Sequence, residues 1–239
     1  MNIRLVGTRP LPWLRASLPL LLGTALLIPR IAVAADGLRV GSAAVDLEAD
    51  DSMIIAGGIE GGRAKGQEGK LRCVAVVIEK DDARVAIVAC DVLMLTRRSL
   101  DPVMAEIQQR FGIPPSHTLI NCTHTHHVPS TMKVHDYGPD EVFTRRVQAI
   151  RIGDIALVGV PAEYFTQLGI DIKNRSPFRY TYVAELANDW IGYLPNLEAH
   201  KLGGYQVWTG LQSYTEPGTG ERIADEAVRL LKELAREDP

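Results

Sequence analysis

Two apolar runs joined by Gly153-Asp154 constrain the fold of this chain more than any other segment. Both runs, within residues 147–160, are rich in β-branched and aliphatic residues. A glycine-aspartate pair between two such runs is typical of a tight β-hairpin. Residues 71–79 and 84–90 form a second pair of β-branched runs around a short charged turn. The sequence therefore predicts two antiparallel strand pairs as main elements of the fold.

Helices are interspersed with these strands along the chain. Apolar residues recur at helical spacing in residues 97–111, and Gly112 follows as the end of that helix. Further strands are predicted at residues 38–47, 117–122 and 180–186, and further helices at residues 161–174 and 221–234. This order predicts an α/β fold, with a layered mixed β-sheet and flanking helices in a single domain.

The N-terminal segment has the composition of a secretory signal peptide. Residues 1–34 contain four arginines and no acidic residue, an apolar run at residues 16–28 and an Ala-x-Ala motif at residues 32–34. The apolar run is too short to span a bilayer about 30 Å thick as a helix. Cleavage after the motif predicts a secreted or periplasmic protein whose α/β domain occupies residues 35–239. Arg30, close to the motif, leaves an uncleaved anchor as the alternative.

The balance of charges excludes some classes of ligand. Four of the 26 basic residues lie in the signal segment, so 22 remain against 29 acidic residues, without a basic cluster. This mildly acidic composition argues against nucleic acid as a partner and supplies no electrostatic attraction to an anionic membrane. The glycine-rich segment 56–69 matches no phosphate-binding spacing, and we interpret it as a flexible loop at the rim of a site.

The three cysteines, Cys73, Cys90 and Cys122, all lie in apolar, strand-like contexts. Their spacing matches no metal-binding or disulfide pattern, so we interpret them as small buried apolar residues. The alternative is a disulfide between Cys73 and Cys90, which would face each other across a hairpin in an oxidising compartment.

Three of the six histidines lie in the run that follows the predicted strand at residues 117–122. Because side chains alternate along a strand, His124 and His126 are expected on the same side of its end, and His127 on the other. Two neutral imidazoles on one side are suitable first ligands for zinc. A polar loop with hydrogen-bonded histidines is the simpler interpretation of the same motif.

Candidate oxygen ligands follow two other predicted strands. Glu163 comes directly after the second strand of the Gly153 hairpin, and Tyr193 follows the strand at residues 180–186. Loops at strand ends of layered α/β folds converge on one crevice, so these side chains and the two histidines together predict a zinc site. Taken alone, Glu163 fits a cap at a helix start, and the Asn-Asp pair at residues 188–189 fits a turn.

The motif His-Thr-His-His-Val-Pro that begins at His124 resembles the His-Thr-His-Ser-Gly-Pro motif of the neutral/alkaline (non-lysosomal) ceramidase family. The C-terminal part is similar too, in blocks at residues 152–163, 185–195, 203–208 and 217–221. The resemblance covers nearly all of the predicted mature chain in two pieces, residues 38–147 and 148–234.

The resemblance implies a zinc amidase that cleaves the N-acyl bond of ceramide or a related lipid-like amide. His124, Glu163 and Tyr193 match zinc ligands of the family, and His126 matches an active-site histidine that binds the substrate or tunes the metal. His126 and Tyr193 are therefore the catalytic candidates, and Zn²⁺ is the implied cofactor. Peripheral contact with a membrane would give such an enzyme access to its substrate.

The chain departs from the family between the histidine motif and the Gly153 hairpin. Only residues 134–146 bridge a gap that holds a long segment in the family, so the domain is shortened near residues 132–147. The other zinc histidine and a loop at the scissile bond belong to the absent part. No motif equates His135, the histidine nearest to the gap, with that ligand.

This departure keeps two other function classes open. A degenerate family member would bind a lipid or a partner without catalysis, because one zinc ligand and part of the cleft are absent. A metal-binding or sugar-binding envelope protein would use an aromatic recognition surface, formed by Trp190, Tyr193, Tyr205, Trp208 and Tyr214. Against the second class, clusters of aromatic residues more often belong to a core than to a site.

Overall fold

The computed structural model describes residues 3–5, 30–33, 37–57, 62–63, 66–131, 146–208 and 212–236, the first two ranges by their backbone alone. The strands are β1 Ile3–Leu5, β2 Arg30–Val33, β3 Arg39–Leu47, β4 Leu71–Lys80, β5 Ala83–Cys90, β6 Thr118–Cys122, β7 Gln148–Ile152, β8 Ile155–Gly159, β9 Glu163–Tyr164, β10 Tyr180–Ala184 and β11 Tyr193–Leu194. The helices are α1 Arg97–Phe111, α2 Thr166–Arg175, α3 Leu197–Leu202 and α4 Thr219–Arg236.

Both predicted hairpins are confirmed, and each lies in a different sheet. β4 and β5 pair antiparallel within a five-stranded sheet of order β2-β3-β4-β5-β6. β7 and β8 pair antiparallel within a four-stranded sheet of order β1-β7-β8-β10, with Gly153 at a positive φ in the turn. β6 joins β5 in parallel, and β10 joins β8 in parallel. The predicted α/β class is confirmed. The strands form several sheets in place of one mixed sheet, because each hairpin pairs with a different parallel strand.

Two apolar clusters form much of the core. Val85 and Leu119 of the five-stranded sheet pack against Ile150 and Ile152 of β7, which holds the two large sheets together. A larger cluster joins β7 and β8 to helices α2 and α4. The buried residues of α4 recur at helical spacing, and they are Gly220, Ala224, Ala227, Val228, Leu230, Leu231 and Leu234. This apolar stripe is what fixes the C-terminal helix against the sheet.

Asn188 connects the two large sheets by hydrogen bonds. Its N–H donates to the Ile120 carbonyl (2.8 Å), and its Oδ1 accepts from the Ile120 N–H (2.8 Å). Its Nδ2 donates to Oε1 of Gln148 in β7 (2.7 Å). Asn188 has a φ of 62°, a left-handed conformation that asparagine adopts more readily than most residues. Asn188 therefore forms a turn and also pairs with the backbone of β6.

Replacing Asn188 with alanine is expected to lower the free energy of unfolding by about 2–4 kcal/mol. The change removes the acceptor of the Ile120 N–H in β6 and the donor to the Gln148 Oε1, and it leaves a Cβ without polar compensation at positive φ. Asn188→Gly loses the same hydrogen bonds but tolerates the backbone, so it should be more stable than the alanine variant by roughly 1 kcal/mol. Urea unfolding measures both. An alanine variant within about 0.5 kcal/mol of the wild type would contradict this account.

The helix predicted at residues 161–174 begins later than expected. α2 begins at Thr166, whereas Glu163–Tyr164 forms β9, in parallel with β11. The cause is backbone pairing, since the Glu163 N–H donates to the Gly192 carbonyl (3.0 Å) and keeps this segment extended. Glu163 is therefore not a helix cap, and that alternative is wrong.

The predicted signal peptide stays a prediction. Its apolar run at residues 16–28 lies outside the described residues. β1 pairs with β7 and β2 pairs with β3, so two short strands lie within residues 1–34. In the part of the chain that is described, no helix is both long and apolar enough to cross a bilayer.

The three cysteines lie in one row across neighbouring strands. Cys73 and Cys90 are direct partners in the β4–β5 ladder, and Cys122 is the partner of Cys90 in the β5–β6 ladder. All three are free thiols. Cys90 and Cys122 are buried, as predicted for small apolar residues, and Cys73 is half-buried.

Candidate functional site

His124 and His126 follow the end of β6 without belonging to the strand. β6 ends at Cys122, and His124 has a φ of 58°, so the predicted alternation of side chains at the strand end is wrong. The His124 N–H instead donates to the Val92 carbonyl (3.1 Å), which turns the chain onto the segment after β5. A non-glycine residue in the left-handed region persists only where its surroundings hold it, and such residues concentrate at functional sites.

The two imidazoles meet nonetheless. Nδ1 of His124 lies 2.9 Å from the Leu93 carbonyl oxygen, and Nδ1 of His126 lies 3.1 Å from the Gly57 carbonyl oxygen. A carbonyl oxygen only accepts, so both Nδ1 atoms carry a proton, and in the neutral rings both Nε2 atoms present a lone pair. The two Nε2 atoms are 3.4 Å apart, with the rings edge to face. Two facing lone pairs repel each other unless a proton or a cation lies between them.

Gly57 provides the close contact that seats His126. Its φ is 82°, and a Cβ at this position would come within 2.1 Å of the His126 Nδ1. Only glycine allows the backbone to approach the imidazole so closely. The glycine-rich composition indicated a rim loop, whereas Gly57 contacts His126 directly. Residues 58–61 of the same segment lie outside the described residues.

Glu163 approaches the same ring nitrogen of His124 as His126 does. Its Oε2 is 3.4 Å from the His124 Nε2, and the indole Nε1 of Trp190 donates to its Oε1 (3.0 Å). The Tyr193 hydroxyl lies near the same carboxylate, whose pKa it helps to lower. The His124 and Glu163 side chains are only 22% and 11% exposed, so water screens them weakly.

These contacts favour the charged forms of the Glu163 carboxyl and the His124 imidazole. Burial opposes ionisation of Glu163, but the hydrogen bonds from His124, Trp190 and Tyr193 outweigh it and lower the pKa of the carboxyl. The hydrogen bond to Glu163 raises the pKa of the His124 imidazole, against the effect of its own burial. The cluster therefore holds a carboxylate at neutral pH, next to an imidazole that gains a proton more readily than usual.

The β9–β11 pair brings Tyr193 next to Glu163, because the two residues are direct partners in its parallel ladder. The Tyr193 N–H donates to the Gln212 carbonyl (2.8 Å), and a Cβ on Gly192 would come within 2.4 Å of that oxygen. The Tyr193 hydroxyl lies 3.2 Å from the Tyr205 hydroxyl. Burial and then these neighbours raise the pKa of Tyr193, so its hydroxyl stays protonated at neutral pH.

Asp189 and Trp190 support the cluster in ways that the sequence did not reveal. Oδ1 of the buried Asp189 accepts from the backbone N–H groups of Arg97 (3.0 Å) and Trp190 (2.8 Å). The carboxylate thus caps the start of α1 and fixes Trp190 beside Glu163. Asp189 is 92 residues from the helix start that it caps, so no local pattern marks it.

The structure therefore brings together four residues that the sequence singled out, namely His124, His126, Glu163 and Tyr193. Within the described ranges, no group of three or more His, Cys, Asp and Glu side chains is placed so that it could hold a metal ion. The two short distances instead join the His124 Nε2 separately to the His126 Nε2 and to the Glu163 Oε2. His135 and the rest of residues 132–145 lie outside the described residues.

The sequence matches no protein-family model and no curated protein. Its structure is similar to that of a neutral ceramidase from Pseudomonas aeruginosa, with a TM-score of 0.69 and 10% identity over 86% of this chain and 76% of that chain. A ceramidase complexed with C2 is similar with a TM-score of 0.66 and 10% identity, over 85% of this chain and 76% of that one. Identity this low shows the fold alone. The chain therefore has a ceramidase-like α/β fold.

Proposed function

We propose that this protein is a zinc-dependent amide hydrolase of the ceramidase type. The observation that carries the proposal is the position of the His124 Nε2, which lies 3.4 Å from both the His126 Nε2 and the Glu163 Oε2. Two ligand atoms that are each about 2.0–2.1 Å from a tetrahedral zinc ion are separated by about 3.3–3.4 Å. The two distances and the paired lone pairs fit such an ion, which would draw the Tyr193 oxygen into the same set.

The chain's own groups have complementary tasks in this proposal. Zinc, when bound, polarises an amide carbonyl and makes water a stronger nucleophile near neutral pH. The Leu93 and Gly57 carbonyls hold the two imidazoles in the tautomer that presents Nε2. His126 would tune the metal through its Nε2, and the Tyr193 hydroxyl, in the same set, would stabilise the developing oxyanion.

The proposed substrate class is a lipid-like amide such as an N-acyl-sphingoid. The ceramidase-like fold supports it, and so does the apolar surface beside the cluster, where Tyr205 contacts Tyr193. Tyr205, Trp208 and Leu202 are exposed, and side chains of this kind suit an acyl chain beside a polar reaction centre. Export by the predicted signal peptide and peripheral membrane contact belong to the same proposal, because such substrates reside in membranes.

A non-catalytic, lipid-binding protein is the second candidate. The observation in its favour is that the described residues contain no group of three or more His, Cys, Asp and Glu side chains that could hold a metal ion. The shortened segment near residues 132–147 supports it too, since the family's other zinc histidine has no counterpart in the sequence. Zinc binding separates the two candidates.

We expect the purified protein to bind about one zinc ion per chain at neutral pH. In His124→Ala, zinc affinity should fall by roughly 10–100-fold or more, because both short distances involve its Nε2. His127→Ala is the matched control, since His127 is exposed on the same loop, and it should keep the wild-type affinity. Calorimetric titration and elemental analysis measure both. A wild-type protein that takes up no zinc would favour the non-catalytic candidate.

Hydrolysis of a fluorescent ceramide by the unmodified chain is expected to be very slow. Substrate positioning can lower a barrier by roughly 7–11 kcal/mol, and a missing cleft segment removes much of that contribution. A variant with a ceramidase-like insert after Arg146 should be far faster. Fatty acid release at neutral to mildly alkaline pH, with zinc present, measures both proteins. Rapid release by the unmodified chain would show that the segment is dispensable.

A further inference from the structure

Cys73 and Cys90 are partners in the β4–β5 ladder and take no part in the proposed chemistry. Their Sγ atoms are 3.2 Å apart. At the next position of the ladder, the Asp91 N–H donates to the Arg72 carbonyl (2.8 Å). Hydrogen-bonded and non-hydrogen-bonded pairs alternate along an antiparallel ladder, so Cys73 and Cys90 form a non-hydrogen-bonded pair. In such a pair the Cα atoms are about 4.5 Å apart and the side chains are closest.

This geometry is compatible with a covalent bond between the two thiols. Disulfides usually join residues whose Cα atoms are about 4.4–6.8 Å apart, a range that includes the spacing of such a pair. The third cysteine has a different environment, because Cys122 is buried and is the partner of Cys90 in the parallel β5–β6 ladder. We propose that Cys73 and Cys90 form a thiol–disulfide exchange site, which reacts with small disulfides such as oxidised glutathione and closes to an intrachain disulfide.

Cys73 is the attacking thiol in this reaction. It is half-buried, whereas Cys90 is buried. The hydrogen bond from the Cys90 thiol lowers the pKa of Cys73, and the same bond raises the pKa of Cys90. Cys73 therefore has the accessible sulfur and the larger thiolate fraction, the two properties that favour attack on a disulfide.

The exchange proceeds in two balanced steps. The Cys73 thiolate attacks one sulfur of oxidised glutathione, whose S–S bond breaks, and one glutathione thiolate leaves with the bonding electron pair. The Cys90 thiol then gives up its proton and attacks the Cys73 sulfur, which releases the second glutathione as a thiolate. Two protein thiols are oxidised to one disulfide, and one glutathione disulfide is reduced to two thiols.

The new bond would fasten the end of β5, to which the start of the histidine loop is hydrogen-bonded. The Cys90 carbonyl accepts from the Thr123 N–H (2.9 Å), and the Thr123 hydroxyl donates to Asp91 (3.2 Å). Thr123 directly precedes His124 in the chain. A disulfide between residues 17 positions apart also restricts the unfolded chain, so the oxidised protein should be the more stable form.

The test uses the full chain, incubated with oxidised glutathione and then denatured for counting of free thiols. The count is expected to fall from three to one, and peptide mass spectrometry should identify a peptide that links Cys73 to Cys90. Cys122→Ser is the matched control and should fall from two thiols to none. The midpoint of thermal unfolding should be higher for the oxidised than for the reduced wild type, and Cys73→Ser should abolish this difference.

Three outcomes would overturn the proposal. They are a count that stays at three thiols, a glutathione adduct that persists on Cys73, and a disulfide that includes Cys122. The thiol count is made on the wild-type chain, so it decides the matter even if Cys73→Ser folds poorly.

Discussion

Glu163→Gln should weaken zinc binding by at least about 100-fold and reduce any amide hydrolysis by roughly 10²–10⁴-fold. The glutamine oxygen can still accept from the Trp190 indole, but its amide nitrogen cannot accept from Tyr193 or His124. The substitution therefore removes the negative charge while the side chain keeps its size and the β9–β11 pair keeps its backbone hydrogen bonds. Calorimetry with zinc and the fluorescent ceramide assay measure the two effects.

The same substitution should lower the pKa of the His124 imidazole in the metal-free protein. Glu163 raises this pKa in the folded state, so the contact stabilises the fold fully below about pH 6.5 and loses its effect as the pH rises through the raised value. The lowered pKa of Glu163 acts in the acid range instead, where its contribution is lost as the pH falls below about 4.3 and through the folded value. Zinc competes with the His124 proton, so wild-type zinc affinity should also fall on acidification.

Glu185→Gln is the matched control for both measurements. The Glu185 carboxylate also raises the pKa of His124, but as the smallest of the contributions and without a hydrogen bond to the ring. Its Oε2 accepts from the Tyr164 N–H (3.1 Å), a bond that a glutamine oxygen can keep. Imidazole NMR titration should therefore show a small change in this variant and a large one in Glu163→Gln. Equal His124 titration curves in Glu163→Gln and the wild type would refute the proposed ion pair.

The largest expected loss of stability comes from Leu231→Ala in α4. Leu231 is 0% exposed and belongs to the cluster between α2, α4 and the four-stranded sheet. Truncation of a buried leucine costs about 2–5 kcal/mol, because transfer energy is lost and a cavity remains. This is a large part of the roughly 5–15 kcal/mol that stabilises a typical domain. Denaturant unfolding followed by circular dichroism measures the change.

Leu202→Ala provides the comparison for this substitution. Leu202 is the same residue type at a helix end but is 80% exposed, so its truncation should change the free energy of unfolding by no more than about 0.5 kcal/mol. A similar loss in both variants would mean that α4 is not packed against the sheet as described.

The parts of the fold that were predictable from sequence depend on local patterns. The Gly153-Asp154 turn and its flanking β-branched runs predicted β7 and β8, and the bounds of α1 followed from its apolar period and Gly112. These features are set by residues within a few positions of each other, where steric and hydrophobic preferences are strongest. The α/β class followed from their order along the chain.

The geometry of the candidate site was less predictable, because contacts between distant residues set it. His126 depends on the carbonyl of Gly57, which is 69 positions away, and β9 exists only through its pairing with β11. The sequence indicated that His124 and His126 would lie together, but on the wrong ground of strand alternation. Backbone carbonyls and a left-handed turn at His124 place the two rings instead.

The candidate site is divided between the two halves of the molecule. His124 and His126 extend from the five-stranded sheet, while Glu163 and Tyr193 lie on the small β9–β11 pair that follows the four-stranded sheet. A nascent chain that has formed only its first sheet would present imidazoles without the carboxylate. Zinc that prefers the complete cluster would then favour fully docked chains by mass action, so that metal binding and docking of the two halves would be coupled during folding. A zinc-dependent rise in the unfolding midpoint that disappears in Asn188→Ala would reveal such coupling between sheet docking and metal binding.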